Sequence, residues 1–460
     1  MQRGDFKTEK ISKLILGQAI PLTIAQFVQV IYNIIDRIYL GHMPGEAESL
    51  ALTGVGLTFP IISLIAAFTN LFATGGAPLC SMARGAGKED RAKKLEVTTL
   101  FMQLITGIVC IVVLSLTKKP LLYLLGASAN TYNYASDYLS VYLMGTIFVT
   151  TGTGMIGFIN LQGFPRKGMA YMMAGAIINM ILDPIFIFGL NMGVKGAALA
   201  SVLSQLVSCI LVFRFLLGKE AIIQINFTDI FKPALGLVKE IVVLGFAGFI
   251  MSATNCAVQA VCNMTLSNYG RELGDLYIAV MTIINSVREM IGLPINGITA
   301  GAQPVISYNY GARLYNRVKQ GIRFMALVGV SYTVFMWIMI MLFPHGFLTI
   351  FSSDESVIET GRLPLTIYFM AFIFMALQFV GQATFVALGK YKQSIFFSLL
   401  RKVFIVIPLT LLLPLIPQIG VMGVFLAEPI SNFIGGLASC GTMYFTVYRK
   451  LGNEREAPAA

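Results

Sequence analysis

Apolar runs of about 20 residues recur along the entire chain. An α-helix of that length crosses the hydrocarbon core of a bilayer, whereas the strands of a membrane β-barrel alternate polar and apolar residues over about ten positions. These runs do not alternate, so the sequence predicts an all-α integral membrane protein with twelve transmembrane helices. The predicted spans cover about 14–40, 50–73, 97–117, 138–161, 169–190, 196–217, 240–266, 276–299, 322–343, 364–387, 394–416 and 420–446.

The composition excludes several classes of protein. Of the 460 residues, 56% are hydrophobic and 12% are charged, against about 25% charged in a soluble domain. The net charge is +11, and the basic residues lie between the apolar runs and not in one basic patch. A lipid bilayer is therefore the predicted partner, and nucleic acid is not. The cysteines have no metal-binding spacing, and neither His42 nor His345 forms a reactive cluster. We therefore predict no metal centre, no cofactor and no enzyme.

The positions of the basic residues predict the orientation of the chain. Twelve spans place both termini on the same side, and cytoplasmic loops carry an excess of Lys and Arg. With the termini in the cytoplasm, 26 of the 33 basic residues lie on the inner side and 6 on the outer side, while Arg288 lies within a span. The polar N-terminal segment is not a cleaved signal. The sequence predicts a multi-pass protein of the inner (cytoplasmic) membrane with cytoplasmic termini.

The two halves of the sequence resemble each other at an offset of 226 residues. Weak internal symmetry is common in transporters, and six spans per repeat predict parallel repeats. Two six-helix bundles, related by a pseudo-two-fold axis along the membrane normal, are therefore expected, with an N-lobe at 1–217, a cytoplasmic linker at 218–239 and a C-lobe at 240–460. The matched pairs include Gly75 and Gly301, Pro78 and Pro304, Gly85 and Gly311, Arg91 and Arg317, and Gly163 and Gly389, in segments taken as loops after spans 2, 4, 8 and 10.

Span 1 carries a polar stripe on one helix face. Gln26, Gln29, Asn33 and Asp36 are spaced by 3, 4 and 3 residues, and Tyr32 lies beside them as a supporting candidate. Hydrocarbon cannot satisfy such groups. The stripe is therefore expected to face protein or a water-filled cavity.

Span 5 contains a second polar group in an apolar run. Asn179 and Asp183 are at i and i+4 and share a helix face. Pro184 lacks an N–H, which leaves the carbonyl of Met180 without its helical partner. Such an oxygen-rich place suits a monovalent cation such as Na⁺, or a carboxylate that can take a proton.

The predicted topology brings a second acid and a hydroxyl to the same depth. Asp36 and Asp183 both lie roughly 6–10 Å from the outer ends of their helices at about 1.5 Å rise per residue, and Ser201 enters span 6 at a similar level. Ionisable groups within spans are functional by default. We therefore predict that Asp36, Asn179, Asp183 and Ser201 form a site that exchanges H⁺ or Na⁺.

The second half lacks acids at the equivalent positions. Arg288 is either a structural pin between helices or a substrate contact or gate, and it is the one cation evident inside the predicted C-lobe. Glu428 is expected near the outer interface. The candidates for a C-lobe cavity are Asn255, Gln259, Arg288, Glu289, Gln378 and Gln382.

The chain resembles the multidrug and toxic compound extrusion (MATE) transporters over essentially its whole length, and within them the bacterial MepA-like branch. The segments that carry the resemblance are AIPLTIAQFVQVIYNIIDRIYLG, INMILDPIFIFG, GAALASVLSQ and GAQPVISYNYGA. The resemblance implies drug/cation antiport by rocker-switch alternating access. It also implies a cation or proton site at Asp36, Asn179 and Asp183, with Ser201 where some members have Thr.

The prediction is therefore a secondary active efflux antiporter for lipophilic or cationic organic compounds, coupled to H⁺ or Na⁺ and functional as a monomer. A flippase for a lipid-linked precursor is the alternative, because that fold family is related. A flippase would favour a strongly cationic cavity. Arg288 is the single cation evident inside the predicted C-lobe, and this argues against a flippase. ATP-driven pumping is disfavoured because no P-loop motif occurs.

Overall fold

The computed structural model describes residues 5–40, 53–352 and 354–452, and the regular elements in these ranges are helices. Nine helices of the described ranges are long and apolar enough to cross a membrane, and eleven spans result if each of two bent pairs counts as one. The twelfth predicted span also forms a helix, Met422–Met443, but Glu428 and Pro429 interrupt its apolar character. The predicted all-α class is confirmed.

The helices coincide with the predicted spans, with longer bounds at several ends. They are α1 (Ile11–Leu40), α2 (Phe59–Gly85), α3 (Glu89–Leu124), α4 (Ala129–Met144), α5 (Thr146–Leu161), α6 (Pro165–Pro184), α7 (Gly193–Leu216), α8 (Val238–Tyr269), α9 (Gly274–Gly311), α10 (Tyr315–Leu342), α11 (Pro344–Thr349), α12 (Glu355–Phe369), α13 (Phe372–Ala387), α14 (Tyr391–Leu399), α15 (Ile407–Leu412) and α16 (Met422–Met443). Short π-helical turns occupy Ile185–Gly189, Leu400–Val406 and Tyr444–Tyr448.

The chain folds into two compact units whose borders lie within helices. Unit 1 contains Ile24–Gly245, and unit 2 contains Phe6–Thr23 together with the chain from Phe246 onward. The first part of α1 thus belongs to unit 2, and the first part of α8 belongs to unit 1. These borders differ from the predicted lobes 1–217 and 240–460, which assign whole spans to each lobe.

The predicted linker, residues 218–239, lies against unit 1. The side-chain oxygen of Gln162 accepts hydrogen bonds from the backbone N–H groups of Ile222 at 2.7 Å and Ile223 at 3.2 Å. Lys93 pairs with Asp229 at 2.7 Å, and its hydrogen bond holds the pKa of the Asp229 carboxyl below its ordinary value. These contacts make the segment an ordered part of unit 1.

The backbone repeats its special conformations at the predicted offset. Gly163 and Gly389 both have positive φ, at 91° and 68°, and each ends a span. The breaks in the two bent pairs also correspond, because α4 and α5 meet at Gly145 at 57° and α12 and α13 meet next to Ala371 at 45°. Each repeat therefore contains the same bent helix pair followed by the same glycine with positive φ, as the internal duplication predicts.

Two of the predicted loops are helical. The segments after spans 2 and 8 continue α2 to Gly85 and α9 to Gly311. Their glycines lie where two helices approach closely: a Cβ on Gly75 would lie 2.0 Å from the carbonyl oxygen of Ile241, and one on Gly301 would lie 2.6 Å from the backbone nitrogen of Ala19. The loop prediction was wrong because glycine here permits packing and does not mark a turn.

Gly245 provides a test of this close packing. A Cβ on this residue would lie 1.6 Å from the carbonyl oxygen of Leu71, which is backbone and cannot rotate away. We expect Gly245→Ala to lower the free energy of unfolding by about 1–3 kcal/mol, the usual cost of overpacking, as measured by thermal unfolding of the purified protein in detergent. Gly17→Ala in α1 is the control, since its Cβ would meet nothing within 4 Å. Equal stability of the two variants would contradict the packing account.

Candidate functional site

Asn179, Asp183 and Ser201 meet inside unit 1, between α6 and α7. Asp183 is 0% exposed, Asn179 1% and Ser201 8%. The amide nitrogen of Asn179 lies 3.3 Å from Ser201 Oγ and 3.4 Å from Asp183 Oδ1. With the amide turned over, it donates to Asp183 Oδ2 at 3.1 Å and accepts from the Ser201 N–H at 3.2 Å. Asn179 therefore bridges the Asp183 carboxylate and Ser201 of α7 in either orientation.

Asp36 joins this cluster from α1. Its side chain is 7% exposed, and its charge acts on Asp183 and on the hydroxyl groups of Tyr32 and Tyr138. The structure thus places the four predicted residues in one buried cluster, which we call the acid site (Asp36, Asn179, Asp183 and Ser201).

Two tyrosines of α4 lie beside this cluster and were not predicted from the sequence. Tyr138 is 3% exposed and lies close to Ser201 and Asp36, and its ring stacks on that of Tyr142 with centroids 6.0 Å apart. The two residues are at i and i+4, so they share a helix face. That spacing in the segment SDYLSVYLM could have identified them. Tyr138 adds a hydroxyl group near Asp36.

Pro184 coincides with a change of helix type. Directly after it, the π-helical turn Ile185–Gly189 begins, and the N–H of Leu190 donates to the carbonyl of Ile185 at 2.8 Å. A proline removes one N–H from the helical ladder, and π-turns occur frequently at functional sites. The predicted free carbonyl of Met180 stays a prediction.

A cavity of unit 1 opens next to the acid site. Gln29 of the predicted stripe lines it, together with the supporting candidate Tyr32 and with Asn179 and Gln205. Gln26 is not among its lining residues, and the side chain of Asn33 lies outside the described residues. Of the stripe, Gln29 faces this cavity and Asp36 is buried.

Unit 2 contains a separate cavity of about 200 Å³. Five of the six predicted residues line it, while Gln259 is exposed and does not. Gln259 lies one helical turn beyond Asn255, which moves it about 6 Å along α8 and past the cavity. The residues predicted correctly are Asn255, Arg288, Glu289, Gln378 and Gln382.

Two basic residues of the same cavity were missed. Arg401 and Lys402 are 5% and 6% exposed and lie in the π-helical turn Leu400–Val406. Both pair with Glu428: Arg401 Nη2 lies 2.5 Å and Lys402 Nζ 3.3 Å from its Oε1. Arg401 Nη1 also donates to Gln378 Oε1 at 2.9 Å.

This arrangement corrects one expectation. Glu428 is 3% exposed within unit 2, where the two cations supply the partners that a buried carboxylate needs; its depth near the outer interface stays a prediction. Arg401 and Lys402 are among the basic residues assigned to the inner side, and their burial means that Arg288 is not the only cation inside the C-lobe. Their position within SIFFSLLRKVFIVIPL, with apolar residues on both sides, was the signal.

The comparisons with known proteins agree with this architecture. The MatE family model matches residues 21–185 and again residues 249–412, one match for each repeat. The multidrug export protein MepA of Staphylococcus saprophyticus is 26% identical over 444 residues, 95% of each chain. MepA of Staphylococcus haemolyticus is 26% identical over 431 residues, 93% of each chain.

Solved structures share the fold. An outward-facing multidrug resistance MATE family transporter of the MOP superfamily superimposes with a TM-score of 0.89 at 22% identity, over 99% of this chain and all of that one. A MOP superfamily transporter from Pyrococcus furiosus gives 0.88 at 22% identity, over 98% of this chain and 100% of that one. The family model covers well over half of the chain, so this multi-pass membrane protein belongs to the MatE family, the multidrug and toxic compound extrusion transporters that its sequence resembles.

Proposed function

We propose that the protein is a secondary active multidrug efflux antiporter, which exports lipophilic or cationic organic compounds in exchange for H⁺ or Na⁺. The observation that carries this proposal is the acid site. Asp183 is fully buried, and among the described residues it has Asn179 as a hydrogen-bond partner but no cation in an ion pair. A buried carboxylate of this kind needs a proton or a metal cation to offset its loss of hydration.

The chemistry of the site supports both coupling ions. Two carboxylates, one amide and hydroxyl groups provide the oxygen ligands that a hard cation prefers, and the same carboxylates can hold a proton instead. Because like charges in a shared buried site repel, entry of a cation or proton stabilises the cluster. Binding of the ion to one conformational state then biases the equilibrium between states.

The relatives support the transported class. The staphylococcal proteins are named multidrug export proteins, and family resemblance implies rocker-switch alternating access. We propose that the protein works as a monomer in the cytoplasmic membrane, with both termini in the cytoplasm. The orientation rests on the bias of basic loops; with Arg401 and Lys402 removed from the inner count, 24 inner and 6 outer basic residues remain.

The ion can be identified in proteoliposomes that hold the purified protein. We expect a fluorescent organic cation to move uphill when a single inward-directed gradient, of H⁺ or of Na⁺, is imposed, because one ion occupies the acid site in each cycle. Uphill movement with neither gradient, or equal movement in liposomes without protein, would contradict antiport.

A flippase for a lipid-linked precursor stays the second candidate, because the cavity of unit 2 holds Arg401 and Lys402 in addition to Arg288. Glu428 pairs with Arg401 and Lys402, so the cavity is less cationic than a diphosphate group would favour. The same proteoliposomes distinguish the candidates. A flippase would translocate a fluorescent lipid-linked precursor and leave the organic cation unmoved.

A further inference from the structure

The cavity of unit 2 differs from the acid site in the sign of its charge. Arg288, Arg401 and Lys402 line it, against the acids Glu289 and Glu428 that lie at its wall or beside it. We propose that this cavity binds the carboxylate group of an amphiphilic organic substrate, with Arg288 as its principal partner. The proposal rests on the proposed function in taking the bound molecule as a transported substrate, whereas binding itself is measured independently.

Arg288 is the group that points to a ligand. Glu428 already occupies Arg401 and Lys402, while Arg288 makes no hydrogen bond or salt bridge to any residue in the described part of the chain, and its Nε is buried without a partner. Glu428 and Glu289 lie near enough to interact with the charge of Arg288, but neither forms a salt bridge with it in the described ranges, and adjacent residues of a helix do not face each other. A guanidinium within a span without a paired anion is costly, and a ligand carboxylate would remove that cost.

Arg401 adds a second unsatisfied donor to the same wall. Its two Nη groups donate to Glu428 and Gln378, but its Nε is buried and has no partner. Arg401 as a whole is 5% exposed, and it lines the same cavity as Arg288. The planar fork of Arg288 suits two parallel hydrogen bonds to a carboxylate.

The rest of the lining suits the body of an organic molecule. Met251, Met375 and Phe379 supply an adaptable apolar surface, and the amides of Asn255 and Asn296 supply further donors. Polar and charged residues make up most of the lining, and these three apolar side chains form a smaller patch beside them. An organic molecule with a carboxylate and an apolar skeleton would contact both the basic residues and the apolar side chains of the lining.

The two repeats place opposite charges at the same span. In unit 1, Asp183 precedes the π-helical turn Ile185–Gly189, and in unit 2 the π-helical turn Leu400–Val406 itself contains Arg401 and Lys402. At the offset of 226 residues, Arg401 and Lys402 correspond to Gly175 and Ala176 and not to Asp183, so the two units carry opposite charges at different positions of the same span.

The test uses a rhodamine dye with a free carboxylate and the methyl ester of the same dye, which differ only in that group. Binding to the purified full-length protein in detergent is measured by fluorescence anisotropy. We expect wild type to bind the free acid about tenfold more tightly than the ester, and Arg288→Gln to remove this preference while leaving ester affinity unchanged. Arg288→Lys, which keeps the charge but not the planar fork, should retain only part of the preference.

Several outcomes would overturn the proposal. These are equal affinity of wild type for acid and ester, an equal loss of both dyes in Arg288→Gln, or displacement of the acid by phosphatidylglycerol but not by phosphatidylcholine, which would assign the site to a lipid headgroup. Asp183→Asn separates this proposal from the proposed function: it should abolish uphill transport and leave the preference in binding intact. Loss of the preference in that variant would contradict the assignment to unit 2.

Discussion

Asp183→Asn is expected to reduce uphill efflux of an organic cation at least about 100-fold, to the level of cells without the protein. The carboxylate is fully buried, and an amide of the same size can neither release a proton nor offer a charged oxygen to Na⁺. The fold should persist, because Asn is close in volume and neutral in a site that has no cation to lose. Efflux is measured in energised cells, and the amount of folded protein by gel filtration of the solubilised membranes.

Asp137→Asn is the matched control in the same unit. The Asp137 side chain is 46% exposed and pairs with Lys195 at 3.4 Å, and surface pairs of this kind contribute about 0–1 kcal/mol. This variant should transport like wild type. Normal efflux by Asp183→Asn, at equal folded protein, would contradict a coupling role for the acid site.

Glu428→Gln is expected to lower the free energy of unfolding by about 3–5 kcal/mol, the cost of leaving a buried charge without its partner. The substitution removes the only ion-pair partner that Arg401 and Lys402 have in the described residues. Both cations would then stay buried without compensation. Thermal unfolding of the purified protein in detergent measures the effect.

Two further variants define this result. Glu289→Gln is the control, since Glu289 is exposed and forms no salt bridge within the described ranges; its stability should match wild type. Adding Lys402→Met to Glu428→Gln should recover part of the loss, because one uncompensated charge is removed, and the double-mutant cycle gives the coupling between the residues. Full stability of Glu428→Gln alone would show that the buried pairs contribute nothing.

The spans were predictable because lipid imposes a length and a composition on any helix that crosses it. The extent of α2 and α9 was not, because Gly75 and Gly301 look like turn residues in a sequence. Their role becomes clear only when the facing backbones of Ile241 and Ala19 are known. The division of α1 and α8 between two units also depends on long-range packing. The predicted lobes assign each span to one lobe as a whole, so they do not include such a division.

The acid site was predictable because its residues are polar misfits in apolar runs at helical spacing. Arg401 and Lys402 were missed because basic residues near the end of a predicted span are usually topogenic, and the partner that buries them, Glu428, lies 26 residues from Lys402. Tyr138 was missed because tyrosine is common in spans, so a single Tyr carries little information. Sequence patterns therefore identified Asp183, which has no ion-pair partner among the described residues, and missed Arg401 and Lys402, whose charges Glu428 neutralises.

The central claim is that the acid site carries the coupling ion, and counter-ion movement tests it most directly. A gradient of an organic cation is imposed across proteoliposomes, and the movement of H⁺ and Na⁺ in the opposite direction is recorded with ion-selective dyes. The account predicts that, in wild type, the organic cation gradient drives one of these ions in the opposite direction, and that Asp183→Asn moves neither ion. Counter-ion movement of equal size in wild type and Asp183→Asn would contradict it.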